Sequence, residues 1–453
     1  MRGAVTSGLI AASLLGAPQA SHMAQTPHTA RPASTARPAS TARPASTSRP
    51  RDATRLTGTS AGAQLPAWTV TASPPAGLAN RASYLYGVSC PAAGDCIAVG
   101  DDSSSASVTA PLVESWQGAA WTVAPTPRVK GSASLFAVSC PAQDSCVAVG
   151  SKRAGRGGTG AFAESWNGTA WSVSAAPSPA GSELLGVSCV SATSCVAVGG
   201  ATTRRGALET LIESWDGARW SVTSSPSRSQ AALSGVSCVS ADFCTAVGNS
   251  GITASKTLIE SWNGSRWSLV DSPDPSGTDD YLNGVSCTLP SACVAVGAYY
   301  ARTPVIRTLV ESWNGTGWSV MSSPAAGTAS STPATSSNVL NGVSCAGPAV
   351  CTAAGAINGQ DTLAQTWGGG AWSLTPSPDP GNRSNFQAVA CTAQDECTAV
   401  GSADSSGRVA HPLIATENPA DPNSGSAPPD STAPSGSAPS GSAPASSAAS
   451  GVT

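Results

Sequence analysis

Seven cysteine pairs, each with five residues between its members, recur along the chain at steps of 50, 49, 49, 49, 58 and 46 residues. They are Cys90/Cys96, Cys140/Cys146, Cys189/Cys195, Cys238/Cys244, Cys287/Cys293, Cys345/Cys351 and Cys391/Cys397. A repeat of this length constrains the fold more than any single motif, because one unit cannot bury both of its own apolar faces and has to stack on its neighbours. Each unit holds a GVSC-like, a CVAVG-like, a TLIESW-like and a WSV-like run. All four are short, rich in β-branched or aromatic residues and bounded by Gly, Pro, Ser or Asn, so each reads as a strand. Four antiparallel strands at this period predict an all-β chain folded as a seven-bladed propeller.

Tryptophan gives a different count. Six pairs, Trp116/Trp121, Trp166/Trp171, Trp215/Trp220, Trp262/Trp267, Trp313/Trp318 and Trp367/Trp372, flank a Gly-containing turn, and a thirteenth, Trp68, stands alone. The last unit has its cysteines and a third-strand run, PLIATEN, but no WSV strand after it. The missing outer strand is available in AWTVTASP, residues 67 to 74, so Trp68 is expected to dock onto the last blade and close the ring. Glu417 stands there where other blades put the first tryptophan. In the turns, Asn263-Gly264 is expected to supply positive-φ residues, with the demand resting on the glycine that recurs as Gly118, Gly168, Gly217, Gly315 and Gly369. If all four residues between Trp262 and Trp267 are loop, the two rings face each other across the outer strands.

The ends differ in composition from this middle. Residues 1–24 begin with Arg2, run without charge through Gly16 and then turn to small residues, the layout of a secretory signal peptide. Residues 25–65 include the TARPAS repeats with Arg31, Arg37, Arg43 and Arg49, and residues 419–453 are rich in Ser, Ala, Pro and Gly. Both are expected to be disordered, leaving the propeller at 66–418. No later apolar run reaches the roughly 20 residues of a membrane span. Charged residues make up 11% of the chain and the net charge is −3, which gives no basis for a nucleic-acid partner.

In a secreted chain, paired cysteines on adjoining strands are expected to form disulfides, each joining partners six positions apart. A zinc reading fails on spacing and on the single propeller histidine, His411, and no cofactor is expected. Glu114, Glu164, Glu213, Glu260 and Glu311 recur at one place in five units, with Gln365 and Ala415 at the equivalent places in the last two. Paired carboxylates could serve a glycosidase. Repetition by symmetry argues instead for a structural role, capping backbone donors between blades. Asn167, Asn263, Asn314 and Asn382 fit the glycosylation sequon, although turn chemistry accounts for the first three.

The run CVAVGGATTRRGALETLIESWDGARWSVTSSP, from Cys195 to Pro226, resembles a kelch repeat in its Gly199-Gly200 strand end, variable loop, third-strand aromatic Trp215 and spaced Trp220. Most units carry one glycine in place of two, tryptophan replaces the third-strand tyrosine, and the cysteine pairs are not part of that pattern. The likeness is to a secreted, disulfide-bearing relative in architecture, of the exported actinobacterial type. It implies a partner-binding propeller. Sialidase-type and galactose-oxidase-type sites lack their motifs here.

In a four-stranded blade numbered from the axis, the cystine hairpins and Asn-Gly turns emerge on one side of the disc. The connections between strands two and three, and from each blade to the next, emerge on the other. The first side is nearly invariant. The second carries the candidate binding residues: Lys152, Arg153 and Arg156 in one loop, Arg204 and Arg205 in the next, and Tyr299, Tyr300 and Arg302 in a third. The long connection from Pro324 to Asn338 lies there too; its position suits a flap, while its Ser/Thr/Ala composition fits plain disorder better. The expected function is a non-enzymatic extracellular binding or scaffold protein, monomeric, taking a glycan, cell-wall polymer or protein on this face. The alternative is a carbohydrate-active enzyme, a glycoside hydrolase or lyase, on the same scaffold.

Overall fold

The computed structural model describes residues 67–74, 81–105, 108–153, 158–226, 230–252, 254–302, 305–327, 336–404 and 409–418, all within the unit Met1–Pro419. The expected signal peptide, arginine-proline linker and C-terminal tail lie outside them. The described residues form seven four-stranded antiparallel sheets. Six are consecutive in sequence, as in blade 3, whose strands Ser182–Ser191, Ser194–Thr202, Leu208–Trp215 and Trp220–Thr223 lie side by side in chain order. The innermost strands of successive blades contact one another around a ring, and Ser83–Ala92 of blade 1 meets Arg383–Ala393 of blade 7.

Blade 7 is the composite the sequence calls for. Ala67–Thr71 pairs with His411–Asn418 as the outer strand of the last sheet, bringing Trp68 opposite Glu417. The Trp68 ring, 6% exposed, lies 5.8 Å from Phe386. The core lies between blades: Val198 and Ile212 of blade 3 pack with Leu233, Ala246, Leu258 and Trp267 of blade 4. At the closing junction Val400 and Ile414 of blade 7 do the same against Leu85, Leu112 and Trp121 of blade 1.

All seven cysteine pairs are disulfides: Cys90–Cys96, Cys140–Cys146, Cys189–Cys195, Cys238–Cys244, Cys287–Cys293, Cys345–Cys351 and Cys391–Cys397, with Cα atoms 3.9–4.1 Å apart. These cystines stand at one end of the blades, and the second cysteine of each pair is buried in the junction between blades. Cys146, Cys244, Cys293 and Cys351 are 1–3% exposed, and Cys96, Cys195 and Cys397 are buried with them. The reason is that the second cysteine stands on strand two, whose side chains join the apolar clusters. Cys146 lies in one cluster with Phe162 and Trp171, Cys244 with Leu258 and Trp267, Cys293 with Leu309, and Cys351 with Leu363 and Trp372. These second cysteines are staples within the inter-blade core.

Beside the cystines runs a set of hydrogen bonds that ties blade to blade. The Cys140 amide donates to Ser89 Oγ of the preceding blade at 3.0 Å, and the amides of Cys189, Cys238, Cys287, Cys345 and Cys391 donate in the same way to Ser139, Ser188, Ser237, Ser286 and Ser344. The GVSC run therefore supplies both a cystine and the acceptor for its neighbour.

The paired tryptophans sit directly opposite each other in register, their ring centroids 5.5–6.1 Å apart. In four blades the first of the pair donates its indole N–H to the cystine turn of its own blade: Trp166 to the Gln143 carbonyl, Trp215 to Ala192 at 3.1 Å, Trp262 to Ala241 at 3.0 Å and Trp313 to Pro290. The turn itself differs from expectation in one respect. Gly264 takes a φ of 85°, but Asn263 does not enter the positive-φ region. Its side-chain oxygen instead accepts from the amides of Ser265 and Arg266 and from Ser265 Oγ, a local turn that asparagine and aspartate form readily. Asn167, Asn314 and Asp216 do likewise.

Closure by a strand from the far end of the chain has a measurable consequence. Removing residues 1–80 takes away Trp68 and leaves the His411–Asn418 edge unpaired, whereas removing 1–60 touches neither. Loss of the buried indole alone is worth about 3–5 kcal/mol. The shorter deletion should melt with the full chain and the longer one several degrees below it in differential scanning calorimetry; equal melting temperatures would contradict this mode of closure.

Candidate functional site

Strand order and register place the cystine hairpins and Trp-to-Trp turns at one end of every blade, since Cys195 pairs with Trp215 and Trp215 with Trp220. The variable connections consequently share the opposite face. Of the candidate residues there, Arg153, Arg204 and Arg205 are exposed and make no ion pair among the described residues. Arg204 and Arg205 occupy a turn fixed by the Thr203 amide on the Ala207 carbonyl at 2.7 Å and the Gly206 amide on the Thr203 carbonyl at 2.9 Å. Lys152 is half-buried, its Nζ 5.6 Å from the Phe162 ring centre. Tyr299 and Tyr300 are strand residues, half-buried opposite Asp280 and Ile306, with Tyr299 packed against the blade 5 core. Arg156 and the Arg302 side chain lie outside the described residues. The set is spread over blades 2, 3 and 5.

The middle of the Pro324-to-Asn338 connection also lies outside them, but its two ends are pinned together. The Ala326 amide donates to Asn338 Oδ1 at 3.0 Å, and Asn338 Nδ2 donates to the Ala326 carbonyl at 3.2 Å.

The repeated glutamates are fully buried between blades. Their partner is a serine hydroxyl from the segment that follows the preceding outer strand, not the backbone donors expected. Ser73 donates to Glu114 at 2.9 and 3.0 Å, Ser225 to Glu260 at 2.9 Å and Ser272 to Glu311 at 2.9 Å. Ser323 donates to Gln365 Oε1 at 2.8 Å, so the amide replaces the acid without loss of the contact. Where the serine gives way to Thr126 or Ala176, both carboxylate oxygens of Glu164 and Glu213 have no hydrogen-bond partner among the described residues. Desolvation pushes these carboxyls up, Glu164 to about 7 and Glu213 to about 8. Sealed in junctions, they do not face a substrate.

The inner strands hold a feature that the repeat pattern had hidden. Every one carries a one-residue bulge between its leucine or phenylalanine and the following Gly or Ala. The bulge moves the strand toward its neighbour, which is why CVAVG ends in glycine: a Cβ on Gly199 would fall 2.0 Å from the Glu183 carbonyl oxygen, and the equivalent glycines stand at 1.8–2.1 Å. The extra residues are Tyr86, Phe136, Leu185, Ser234, Asn283, Asn341 and Gln387, all half-buried on the innermost strand and so bordering the axis. Sequence reasoning missed them. The signal was the varied position x in an otherwise fixed LxGVSC.

Among the described residues no cluster of His, Cys, Asp and Glu is arranged to hold a metal, and no helix is long and apolar enough to cross a membrane. No protein-family model matches the chain, and no curated protein does.

Protonation of the buried glutamates sets an expectation for stability. Their folded values exceed the ordinary 4.5, so their contribution is fully present below that pH and is lost as pH rises through about 7 to 8. At about 1.4 kcal/mol per pH unit, full ionisation costs on the order of 3 kcal/mol at Glu164 and about 5 kcal/mol at Glu213. The melting temperature should fall between about pH 4.5 and pH 8, and Glu164→Gln with Glu213→Gln should flatten that fall; an unchanged pH profile in the double variant would refute the assignment.

Solved structures similar to this chain are propellers. YCF48 from Cyanidioschyzon merolae aligns at 12% identity and a TM-score of 0.47 over 78% of this chain and 99% of that one, as does a structure described as YCF48 bound to D1 peptide. The GH74 xyloglucanase from Xanthomonas campestris aligns at 12% identity and 0.44 over 77% of this chain and 55% of its own. The propeller domain of the Trilobed protease from Pyrococcus furiosus aligns at 7% identity and 0.44 over 76% of this chain and 99% of that one. At this level the likeness is one of fold alone; that this chain is a seven-bladed β-propeller with one disulfide per blade is read from its own sheets and cystines.

Proposed function

We propose that this is a secreted, monomeric, non-enzymatic binding or scaffold propeller that takes an extracellular glycan, a cell-wall polymer or a protein on the face of its variable loops. The observation that carries the reading is the split between the two faces. One end of every blade carries a cystine, joined in blades 1 to 6 by the same facing tryptophans and glycine turn, while the other end differs from blade to blade in length, charge and aromatic content. Rigid scaffold under varied loops is the arrangement in which recognition is commonly placed.

Two further observations support it. Arg153, Arg204 and Arg205 are held out without an ion pair, available for bidentate hydrogen bonding to acidic or hydroxyl-rich groups. Ala67 pairs with Asn418, so both ends of the described chain lie on the cystine side, opposite the variable face. The charge-free run after Arg2 and the seven disulfides fit export to an oxidising compartment. The kelch-type likeness supports partner binding at the level of architecture. Against a carbohydrate-active enzyme stands the burial of the repeated carboxyls, five of which are fully enclosed.

The reading is tested by replacing Arg153, Arg204 and Arg205 with alanine, and separately Asn263 and Arg266 on the opposite face, then measuring retention on cell-wall material. Loss of tenfold or more in the first variant and none in the second is expected. The reverse result would place the binding face on the cystine side.

A further inference from the structure

Seven blades built to one plan leave few places where the ring departs from symmetry, and the axis is one of them. The bulge residues divide into two arcs. Tyr86, Phe136 and Leu185 of blades 1 to 3 are aromatic or apolar, Ser234 follows, and Asn283, Asn341 and Gln387 of blades 5 to 7 are amides. The aromatic arc is organised: Tyr86 stacks on Tyr84 with ring centres 6.1 Å apart at 7°, and meets Phe136 of the next blade edge-on at 5.7 Å. The amide arc is organised too. Asn283 Nδ2 donates to the Leu340 carbonyl at 2.9 Å and Asn341 Nδ2 to the Phe386 carbonyl at 2.7 Å, each reaching the following blade. Gln387 Nε2 donates to Asn385 Oδ1 at 2.9 Å. Fixing each amide by its nitrogen orients its carbonyl oxygen as an acceptor.

None of the seven bulge residues is charged. One step nearer the variable face, the corresponding residues are Tyr84, Ser134, Glu183, Ala232, Tyr281, Val339 and Asn385, with one acid among them. Glu183 is 8% exposed, and its Oε1 has no hydrogen-bond partner among the described residues. An unpaired acceptor at that depth asks for a donor, and burial pushes the carboxyl up to about 7, where it also donates.

We propose that the axis of the ring, entered from the variable face, binds a neutral polyhydroxylated ligand, the pyranose ring of an extracellular glycan, between the aromatic arc of blades 1 to 3 and the amide arc of blades 5 to 7. A pyranose has an apolar face for Tyr86 and Phe136 and a hydroxyl rim for the oriented amides, while an anionic ligand would find no counter-charge at the bulge level and would meet Asp101 and Glu183 beside it. The proposal narrows the glycan-binding reading and rests on it, but on residues separate from the loop arginines.

The test uses the full secreted chain on an array of immobilised neutral and anionic glycans and cell-wall peptides. One variant combines Tyr86→Leu, Phe136→Leu and Gln387→Leu; the chain already carries leucine at this position, as Leu185, so melting temperature should stay near that of the parent. A second replaces Arg153, Arg204 and Arg205 with alanine. Retention on neutral glycans should fall at least tenfold in the axial variant and less in the loop variant. Neutral-glycan retention that is absent in the parent, or unchanged in a folded axial variant, overturns the axial site. If anionic polymer or peptide is retained and the loop variant alone loses it, the axial site falls while the loop-face reading stands. No retention of any probe removes both.

Discussion

Each blade here is a thin sheet with two apolar faces, and neither is covered within the blade. The residues that cover them come from the blades on either side, as Val198 and Ile212 do for Leu233 and Trp267. No blade is therefore stable by itself, and the structure depends on the junctions being complete all the way around. The polar contacts follow the same logic. The serine of GVSC accepts from the next cysteine's amide, and the serine after an outer strand donates to the next blade's glutamate or glutamine. Both cross a junction, so the repeated polar residues align neighbouring blades where burial alone would let them slide.

That arrangement explains why one face is monotonous and the other is not. At the cystine end, the disulfide, the first tryptophan's N–H and the glycine turn all engage one another within about one turn of chain, as in Cys195, Trp215, Ala192 and Gly217. A change in any of them disturbs the others. At the opposite end the connections need only span from one strand to the next, and length and charge are free to vary. The bulge positions are a third category. They belong to the inner strands yet pair with nothing, so the ladder that fixes the residues around them exerts no demand on their side chains.

Much of this was legible in the sequence. Strand number, ring closure by Trp68, cystine pairing and facing tryptophans follow from period, alternation and count, which are properties of the repeat as a whole. What was not legible depends on contacts between units or on exact register. The partner of Glu114 is Ser73, on the other side of a blade boundary, and no spacing within one unit points to it. The burial of Cys146, Cys244, Cys293 and Cys351 is of the same kind, since it comes from clusters that neighbouring sheets complete. Asn263 and Gly264 read alike as turn formers, but only the glycine takes positive φ, because the asparagine oxygen can satisfy the turn from an ordinary backbone conformation. Tyr299 and Tyr300 read as loop residues since the strand was taken to end at its glycine; the ladder runs on through Arg307 and Ile306 and half-buries them. The bulge was invisible because a one-residue slip leaves the LxGVSC pattern intact.

The closing junction shows how these contacts combine, because it lacks some of them. Blade 7 reads AVAC where the others end in VSC, so Ala390 stands where a serine would accept from the Cys90 amide. The six clips around the ring have no counterpart there, a difference of about 1 kcal/mol for one hydrogen bond. On the same side a cavity of about 520 Å³ opens between the blades, lined by Thr69, Thr71, Thr398 and Thr416 on one wall and by Trp116 and the Cys90–Cys96 disulfide on the other. Glu417, in the place of a tryptophan, has no hydrogen-bond partner among the described residues, and burial, with Asp395 nearby, pushes it up to about 7. What holds this junction is Val400 and Ile414 against Leu85, Leu112 and Trp121, together with the Ser73 hydroxyl on Glu114 and the Ser83 amide on the Ala410 carbonyl, with Trp68 on Phe386 fastening the borrowed strand behind it. A ring closed by joining its own chain ends thus loses the serine clip where the two ends meet but keeps the serine-to-glutamate contact, because the borrowed strand that carries Trp68 brings Ser73 with it.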